Sequence, residues 1–266
     1  MATCYRHPTR ETGVSCSSCG RPICPDCMTP TPVGMRCPEC SRQRTKVRTI
    51  RDVRAGGVEV TRALIFANVL AFVAELSSGG GTGRVYLDGS LFGPAVADGD
   101  YWRLITGGFL HYPLLPFGLL HIGFNMYLLW VLGQMLEPAL GSVRFAALYF
   151  TSLLAGSFGA LLVTPEAHTV GASGAVFGLM GAAFVELRAR GIDPFQAGIG
   201  GLIVINLIFS FTLSNISVGG HVGGLVGGAL AALALQAGDR MRSRVLGLAA
   251  CALLAAAAAI AGVATA

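Results

Sequence analysis

Residues 171–178 read Gly171-Ala172-Ser173-Gly174-Ala175-Val176-Phe177-Gly178, a run of small residues that sets a lone serine at the start of an apolar segment. Such a serine matters chemically only if a base and an oxyanion site lie at the same depth. Two further stretches supply candidates. Gly219-Gly220-His221-Val222-Gly223-Gly224 opens another apolar segment with a histidine in a bed of glycines. His121-Ile122-Gly123-Phe124-Asn125 puts an imidazole and a carboxamide one helical turn apart inside a third. Gly219, Gly223 and Gly227, and again Gly220, Gly224 and Gly228, repeat a small-xxx-small pattern on adjacent faces, so a neighbouring backbone can approach closely. Gly174 and Gly178 offer the matching face, which places Ser173 and His221 within expected hydrogen-bonding reach near two helix ends.

Composition explains why these residues stand out. Of 266 residues, 53% are hydrophobic and only 12% charged, with a mean hydropathy of +0.63. Most of the chain is expected in lipid. At about 20 apolar residues per span, the spans fall near 62–78, 117–137, 142–163, 173–189, 195–213, 219–236 and 245–264. No apolar run precedes residue 40, so no signal peptide is expected and the N-terminus is expected to stay in the cytosol. Arg42, Arg44, Lys46, Arg48, Arg51, Arg54 and Arg62 then form a cytoplasmic flank to the first span, and Arg144, Arg188, Arg190, Arg240, Arg242 and Arg244 fall in the other inside loops. The outward loops hold Asp88, Asp98, Asp100 and Glu166, countered by Arg84 and Arg103. The net charge of +5 is therefore a topology signal. Basic and aromatic residues do not interleave as a nucleic-acid surface needs, and no nucleic-acid partner is expected.

The segment 79–116 is too long for a plain connector and carries Tyr86, Leu87, Leu91, Phe92, Tyr101 and Trp102. Short helices at the outer interface are expected there, with Tyr101 and Trp102 at headgroup level.

Seven of the eight cysteines lie in the first forty residues. With His7 they make four pairs of two-residue spacing: Cys4/His7, Cys16/Cys19, Cys24/Cys27 and Cys37/Cys40. Eight soft ligands make two tetrahedral zinc sites with no open position, structural rather than catalytic. So short a segment cannot bury enough apolar surface to fold alone, and metal would supply the folding free energy. A disulfide framework is the competing interpretation, disfavoured by the missing signal peptide and the regular C-x-x-C spacing. The pattern resembles a B-box or related cross-brace finger. That resemblance implies one zinc on Cys4, His7, Cys24 and Cys27 and another on Cys16, Cys19, Cys37 and Cys40. Such fingers bind proteins or serve as regulatory appendages, which leaves room for a cytosolic partner.

Two polar groups at the depth of His121 and Asn125 are costly unless they face a polar interior; hydrogen bonding between helices is the plainer alternative. Their coincidence in depth with Ser173 and His221 favours chemistry. His221 would take the serine proton as general base and return it to the leaving amine. The N–H of Ser173, at a helix N-terminus, would bind the oxyanion with the Asn125 amide and His121. Glu75 and Glu137 read as span-end residues and orient neither group, so the arrangement is a dyad.

Residues 60–240 resemble the rhomboid intramembrane serine proteases. The motifs are Trp102-Arg103, His121-x-x-x-Asn125, Glu137, Gly171-Ala172-Ser173-Gly174 and His221-x-x-Gly224-x-x-x-Gly228. Position 175 is alanine, so the run is not the hydrolase elbow G-x-S-x-G. The resemblance implies an all-α membrane fold of six helices with a short central fourth under a water-filled cavity. It also implies cleavage of other proteins' transmembrane segments, with structural roles for Trp102, Arg103 and Glu137. The family commonly has tyrosine at the position of Phe177, stacked on the histidine; phenylalanine keeps the stacking face and loses the hydroxyl. Gly220 stands where alanine is frequent.

The domains then divide as a zinc module over 1–42, a basic linker over 43–61, the six-helix core over 62–240 and an added helix over 241–266. A serine endopeptidase of this kind would need no catalytic cofactor and would act on transmembrane proteins within the bilayer. An inactive helix-binding adaptor with a recruiting finger is the alternative, and the retained Ser173 and His221 weigh against it. A transporter would call for paired charged sites or broken helices, which the sequence lacks. Lys46 is the one lysine among nineteen basic residues, and alanine and glycine abound. That composition suits a GC-rich bacterial genome and hence a bacterial plasma membrane.

Overall fold

The computed structural model describes residues 2–32, 34–42, 57–114, 116–213 and 216–266. Contacts divide the chain into two compact units, Met1–Val53 and Arg54–Ala266. Arg44, Lys46, Arg48, Arg51 and Arg54 of the basic flank lie outside the described residues.

Among the described residues, the larger unit is an all-α bundle of seven principal helices: α1 (Glu59–Ser77), α2 (Phe117–Leu140), α3 (Ser142–Val163), α4 (Ser173–Ala189), α5 (Ile199–Thr212), α6 (Val218–Arg240) and α7 (Arg244–Ala264). Each falls on one of the seven apolar segments. Among the described residues, five (α1, α2, α3, α6 and α7) are long and apolar enough to cross a bilayer. The chain is a multi-pass integral membrane protein. Two helices are shorter than expected of full spans. α4 has 17 residues and α5 has 14, so at 1.5 Å per residue α5 is only about 21 Å long.

α4 is the core of the bundle. Every residue from Ala175 to Ala183 is buried, because α4 is flanked by α2, α3 and α6. Small residues make the approach possible. A Cβ on Gly224 or Gly228 of α6 would fall on the carbonyl of Gly174 or Gly178 of α4. The other glycine face of α6 meets α3, where Gly219 and Gly223 lie against Gly159 and Ala155. α6 is thus clamped on two sides by backbone-to-backbone contact. α7 packs on α3 and α6: Thr151 Oγ1 donates to the Cys251 carbonyl at 3.2 Å, and Gly238 abuts Gly247. α5 is different, burying only Ile199, Gly200, Asn206 and Ser210 along one face.

Polar side chains fix the ends. Glu137 reaches from α2 to the start of α1, accepting from the Val60 N–H at 2.9 Å, the Thr61 N–H at 2.8 Å and the Thr61 hydroxyl at 2.6 Å, and also from Ser142 at 2.8 Å. It satisfies N–H groups that a helix start leaves free and sets a negative charge at the positive end of the dipole. At the same end, Arg144 pairs with Asp239 at 2.8 Å and donates to the Leu235 carbonyl at 2.9 Å.

The connection before α2 folds into short helices at Arg84–Gly89, Gly93–Ala97 and Arg103–Thr106. Tyr101 and Trp102 are exposed on it, and the Trp102 indole donates to the Asp88 carbonyl at 3.1 Å. The Arg103 guanidinium is buried. It pairs with Asp100 at 2.9 Å and donates to the carbonyls of Leu87 at 2.7 Å and Ser90 at 2.9 Å, tying the loop together. His168 stacks on Phe92 with centroids 4.4 Å apart; burial and the nearby Arg103 cation hold its imidazole below the usual range.

The smaller unit has two antiparallel strand pairs, β1 (Ala2–Thr3) with β2 (Glu11–Thr12) and β3 (Thr29–Thr31) with β4 (Gly34–Arg36), followed by a helical turn at Pro38–Arg42. Its buried cluster is Ile23 and six cysteines. A core built from thiols rather than aliphatic side chains does not hold a fold by apolar burial alone.

Candidate active site and metal centre

Ser173 is the first residue of α4, so its N–H is among the four that a helix leaves without an internal partner. His221 sits in the first turn of α6, which the Ser217 hydroxyl caps by accepting from the Gly220 N–H at 3.1 Å. The glycine contacts between α4 and α6 bring these two starts together, and His221 Nε2 lies 2.8 Å from Ser173 Oγ. Phe177, one turn below Ser173, stacks on the imidazole with centroids 4.1 Å apart and planes at 17°. The stacking face expected of phenylalanine is present.

His121, at the start of α2, reaches the same place. A Cβ built on Gly171 would stand 3.1 Å from His121 Nε2 and 3.4 Å from Ser173 Oγ, so the two groups flank one small gap. Gly171 has φ +134°, a left-handed backbone that favours glycine. The Tyr112 N–H points at His121 Nδ1 at 3.2 Å. That nitrogen therefore accepts, and the ring proton resides on Nε2, facing the gap. Asn125 is placed differently. Its Nδ2 donates to the His121 carbonyl one turn back, at 2.9 Å, leaving one N–H of the amide uncommitted.

Three residues near the site carry no signal in the sequence. Ser210 on α5 lies 2.6 Å from His221 Nδ1. His111 is fully buried beside His121, ring centroids 5.1 Å apart, and its backbone N–H donates to the Glu75 carboxylate at 3.1 Å. Glu75 stands in the last turn of α1, as its place near a span end suggests, and is fully buried as well. Each depends on a contact between distant segments, 36 residues apart for His111 and Glu75.

In the smaller unit, the eight expected ligands form two groups, Cys4, His7, Cys24 and Cys27, and Cys16, Cys19, Cys37 and Cys40. The ligand atoms of each group lie within 4.8 Å of one another. His7 Nδ1 is 3.8, 3.3 and 3.5 Å from the sulfurs of Cys4, Cys24 and Cys27, and Cys19 Sγ is 3.8 Å from Cys37 Sγ. Tetrahedral zinc with Zn–S of about 2.3 Å and Zn–N of about 2.0 Å separates its ligand atoms by about 3.5–3.8 Å. The donor set and spacing could hold zinc at both places, and none of the eight cysteines is in a disulfide. Beside the second group, the Tyr5 hydroxyl donates to Glu39, which also pairs with Arg6 at 2.7 Å. These partners hold the Glu39 carboxyl down to about 2, the Tyr5 hydroxyl being the largest cause.

Comparison with known proteins points the same way as the membrane unit. The sequence profile described as Rhomboid domain matches residues 98–238. The chain is similar to Rhomboid protease GluP of Bacillus subtilis, 36% identical over 190 residues that cover 67% of this chain and 36% of that protein. It is also similar to RHOMBOID-like protein 5 of Arabidopsis thaliana, 35% identical over 147 residues, 53% of this chain and 46% of that protein. A third relative is Rhomboid-like protease 3 of Toxoplasma gondii, 27% identical over 180 residues, 64% of this chain and 65% of that protein. The matched region thus spans between about a third and two thirds of these relatives' own lengths.

Proposed function

Because the chain belongs to the rhomboid family, we propose that it is an intramembrane serine endopeptidase that cuts transmembrane segments of other membrane proteins. The observation that carries this reading is the 2.8 Å contact between Ser173 Oγ and His221 Nε2 at two adjoining helix starts.

In the first step Ser173 Oγ attacks the scissile carbonyl while its proton passes to His221 Nε2. The carbonyl oxygen becomes an oxyanion held by the Ser173 N–H, by the His121 Nε2–H across the gap beside Gly171, and by the second N–H of Asn125. His221 then gives the proton to the departing amine, leaving an acyl-enzyme. Water, deprotonated by the same histidine, releases the acid and restores the Ser173 hydroxyl. Phe177 supports the plane of the His221 ring through both steps. No metal takes part in this cycle.

The zinc ligands belong to a separate structural task. Residues 1–42 form a B-box-like module carrying two zinc ions, residues 43–61 a basic linker, 62–240 the protease core and 241–266 the added helix. The N-terminus is cytosolic and the home is a bacterial plasma membrane; the arginines Arg144, Arg188, Arg190, Arg240, Arg242 and Arg244 support that orientation.

The test is cleavage of a model transmembrane substrate by the purified full chain in lipid, together with labelling by a serine-reactive fluorophosphonate. Wild type should cleave and label, while Ser173→Ala and His221→Ala should do neither. Labelling of Ser173→Ala equal to wild type would overturn the nucleophile assignment. Wild-type protein that folds, binds the substrate and never cleaves would instead favour an inactive helix-binding adaptor.

A further inference from the structure

We propose that Ser210 on α5 is a positioning residue that holds His221 in the tautomer able to act as base. This rests on the Ser173–His221 reading above.

The argument is an accounting of protons. A serine hydroxyl has one proton to donate and lone pairs to accept with. Ser210 Oγ lies 2.7 Å from the Asn206 carbonyl, one turn back on its own helix. Two oxygens that close need a proton between them, and the carbonyl has none. The hydroxyl proton is therefore committed to Asn206, and toward His221 Ser210 presents a lone pair. Its other neighbour, 2.6 Å away, is His221 Nδ1. That contact is bonding only if Nδ1 carries the ring proton. Nε2 is then left as an unprotonated acceptor, facing Ser173 Oγ at 2.8 Å. The opposite tautomer would put lone pairs of Ser210 and Nδ1 against each other in a buried setting, since Ser210 is 2% and His221 8% exposed.

The chain of donors thus runs from Ser173 Oγ–H to His221 Nε2, and from His221 Nδ1–H through Ser210 Oγ–H to the Asn206 carbonyl. When Nε2 takes the serine proton, the ring becomes an imidazolium and the Nδ1–H bond to Ser210 becomes charge-assisted and stronger. An interaction that strengthens as charge develops raises kcat rather than tightening substrate binding. It fills the orienting position that a carboxylate takes in a triad, with a neutral oxygen anchored on a backbone carbonyl. α5 also gains a defined purpose: two of its four buried residues, Asn206 and Ser210, build this anchor.

The experiment uses the full chain in lipid, with steady-state cleavage of one transmembrane substrate by wild type, Ser173→Ala, Ser210→Ala and Ser210→Thr. Ser173→Ala should be inactive. Ser210→Ala should lose about 10-fold in kcat with KM within about twofold, as loss of a bond made mainly in the transition state requires. Ser210→Thr, whose hydroxyl also bonds back along the helix, should recover most of that loss. A wild-type kcat for Ser210→Ala, or Ser210→Thr as slow as Ser210→Ala, overturns the proposal while leaving the dyad standing. Cleavage by Ser173→Ala removes the dyad and this proposal with it. Should Ser210→Ala not accumulate folded, Ser210→Cys, which keeps the side-chain shape with a larger, weakly accepting sulfur, is measured by the same criteria.

Discussion

At the scale of single residues, the gap beside Gly171 is the most exacting feature. A methyl group there would stand 3.1 Å from His121 Nε2 and 3.4 Å from Ser173 Oγ, on a backbone at φ +134°. Gly171→Ala should lower kcat/KM by about 100-fold, the scale of losing one oxyanion donor, and a single-turnover assay measures it. Phe177 is a milder case. Replacing it with tyrosine keeps the ring on His221 and should leave kcat/KM within about twofold of wild type. Phe177→Leu forfeits an aromatic contact of about 1 kcal/mol and should cost about fivefold in the same assay. The meeting of Ser173 with His221 could be anticipated because both stand at the start of apolar segments, and His121 stood out as a polar group inside one. Ser210 was not, because a serine inside an apolar helix ordinarily satisfies itself on the carbonyl one turn back. It does so here as well, and only the folded neighbour at His221 reveals its second partner. His111 and Glu75 were hidden for the same reason: their meeting is a tertiary event.

At the scale of helices, stability is concentrated where α6 meets α4 and α3. Gly224→Ala would drive a Cβ into the Gly174 carbonyl, and backbone cannot yield as a side-chain tip does. The variant should be destabilised by about 3 kcal/mol, the upper range of overpacking, and lose activity as Ser173 and His221 separate. Gly123→Ala, on the exposed side of α2 with nothing within 4 Å, is the matched control and should melt at or slightly above the wild-type temperature. The helix starts were legible to within a few residues because the apolar runs are long and separated by polar or glycine-rich breaks. Gly174 and Gly178 as a partner for α6 were legible from spacing alone. That Gly219 and Gly223 would find Gly159 and Ala155 was not, since small residues recur on several helices and their spacing does not say which helix packs on which.

At the scale of the whole molecule, two units with unlike sources of stability share one chain. The membrane unit is held by close helix packing; the smaller unit, whose buried cluster is Ile23 and six cysteines, should depend on bound metal. Metal analysis should find close to two zinc per chain, and Cys16→Ala should bring it to about one. A strong chelator should abolish the structure of residues 2–42 and leave the melting temperature of the membrane unit unchanged. A chain lacking residues 1–42 should still cut a model substrate at a rate near wild type. The four pairs could be anticipated from the fixed two-residue spacing, and their grouping from the resemblance to a cross-brace finger.

The brevity of α5 reaches beyond the protein. A rod of about 21 Å set in a hydrocarbon layer of about 30 Å leaves roughly a third of the layer unmatched on that flank. Acyl chains beside α5 must shorten or tilt to meet it. Mismatch on that flank should thin the surrounding lipid, an expected outcome that acyl-chain order measured by solid-state NMR on the reconstituted full chain would check.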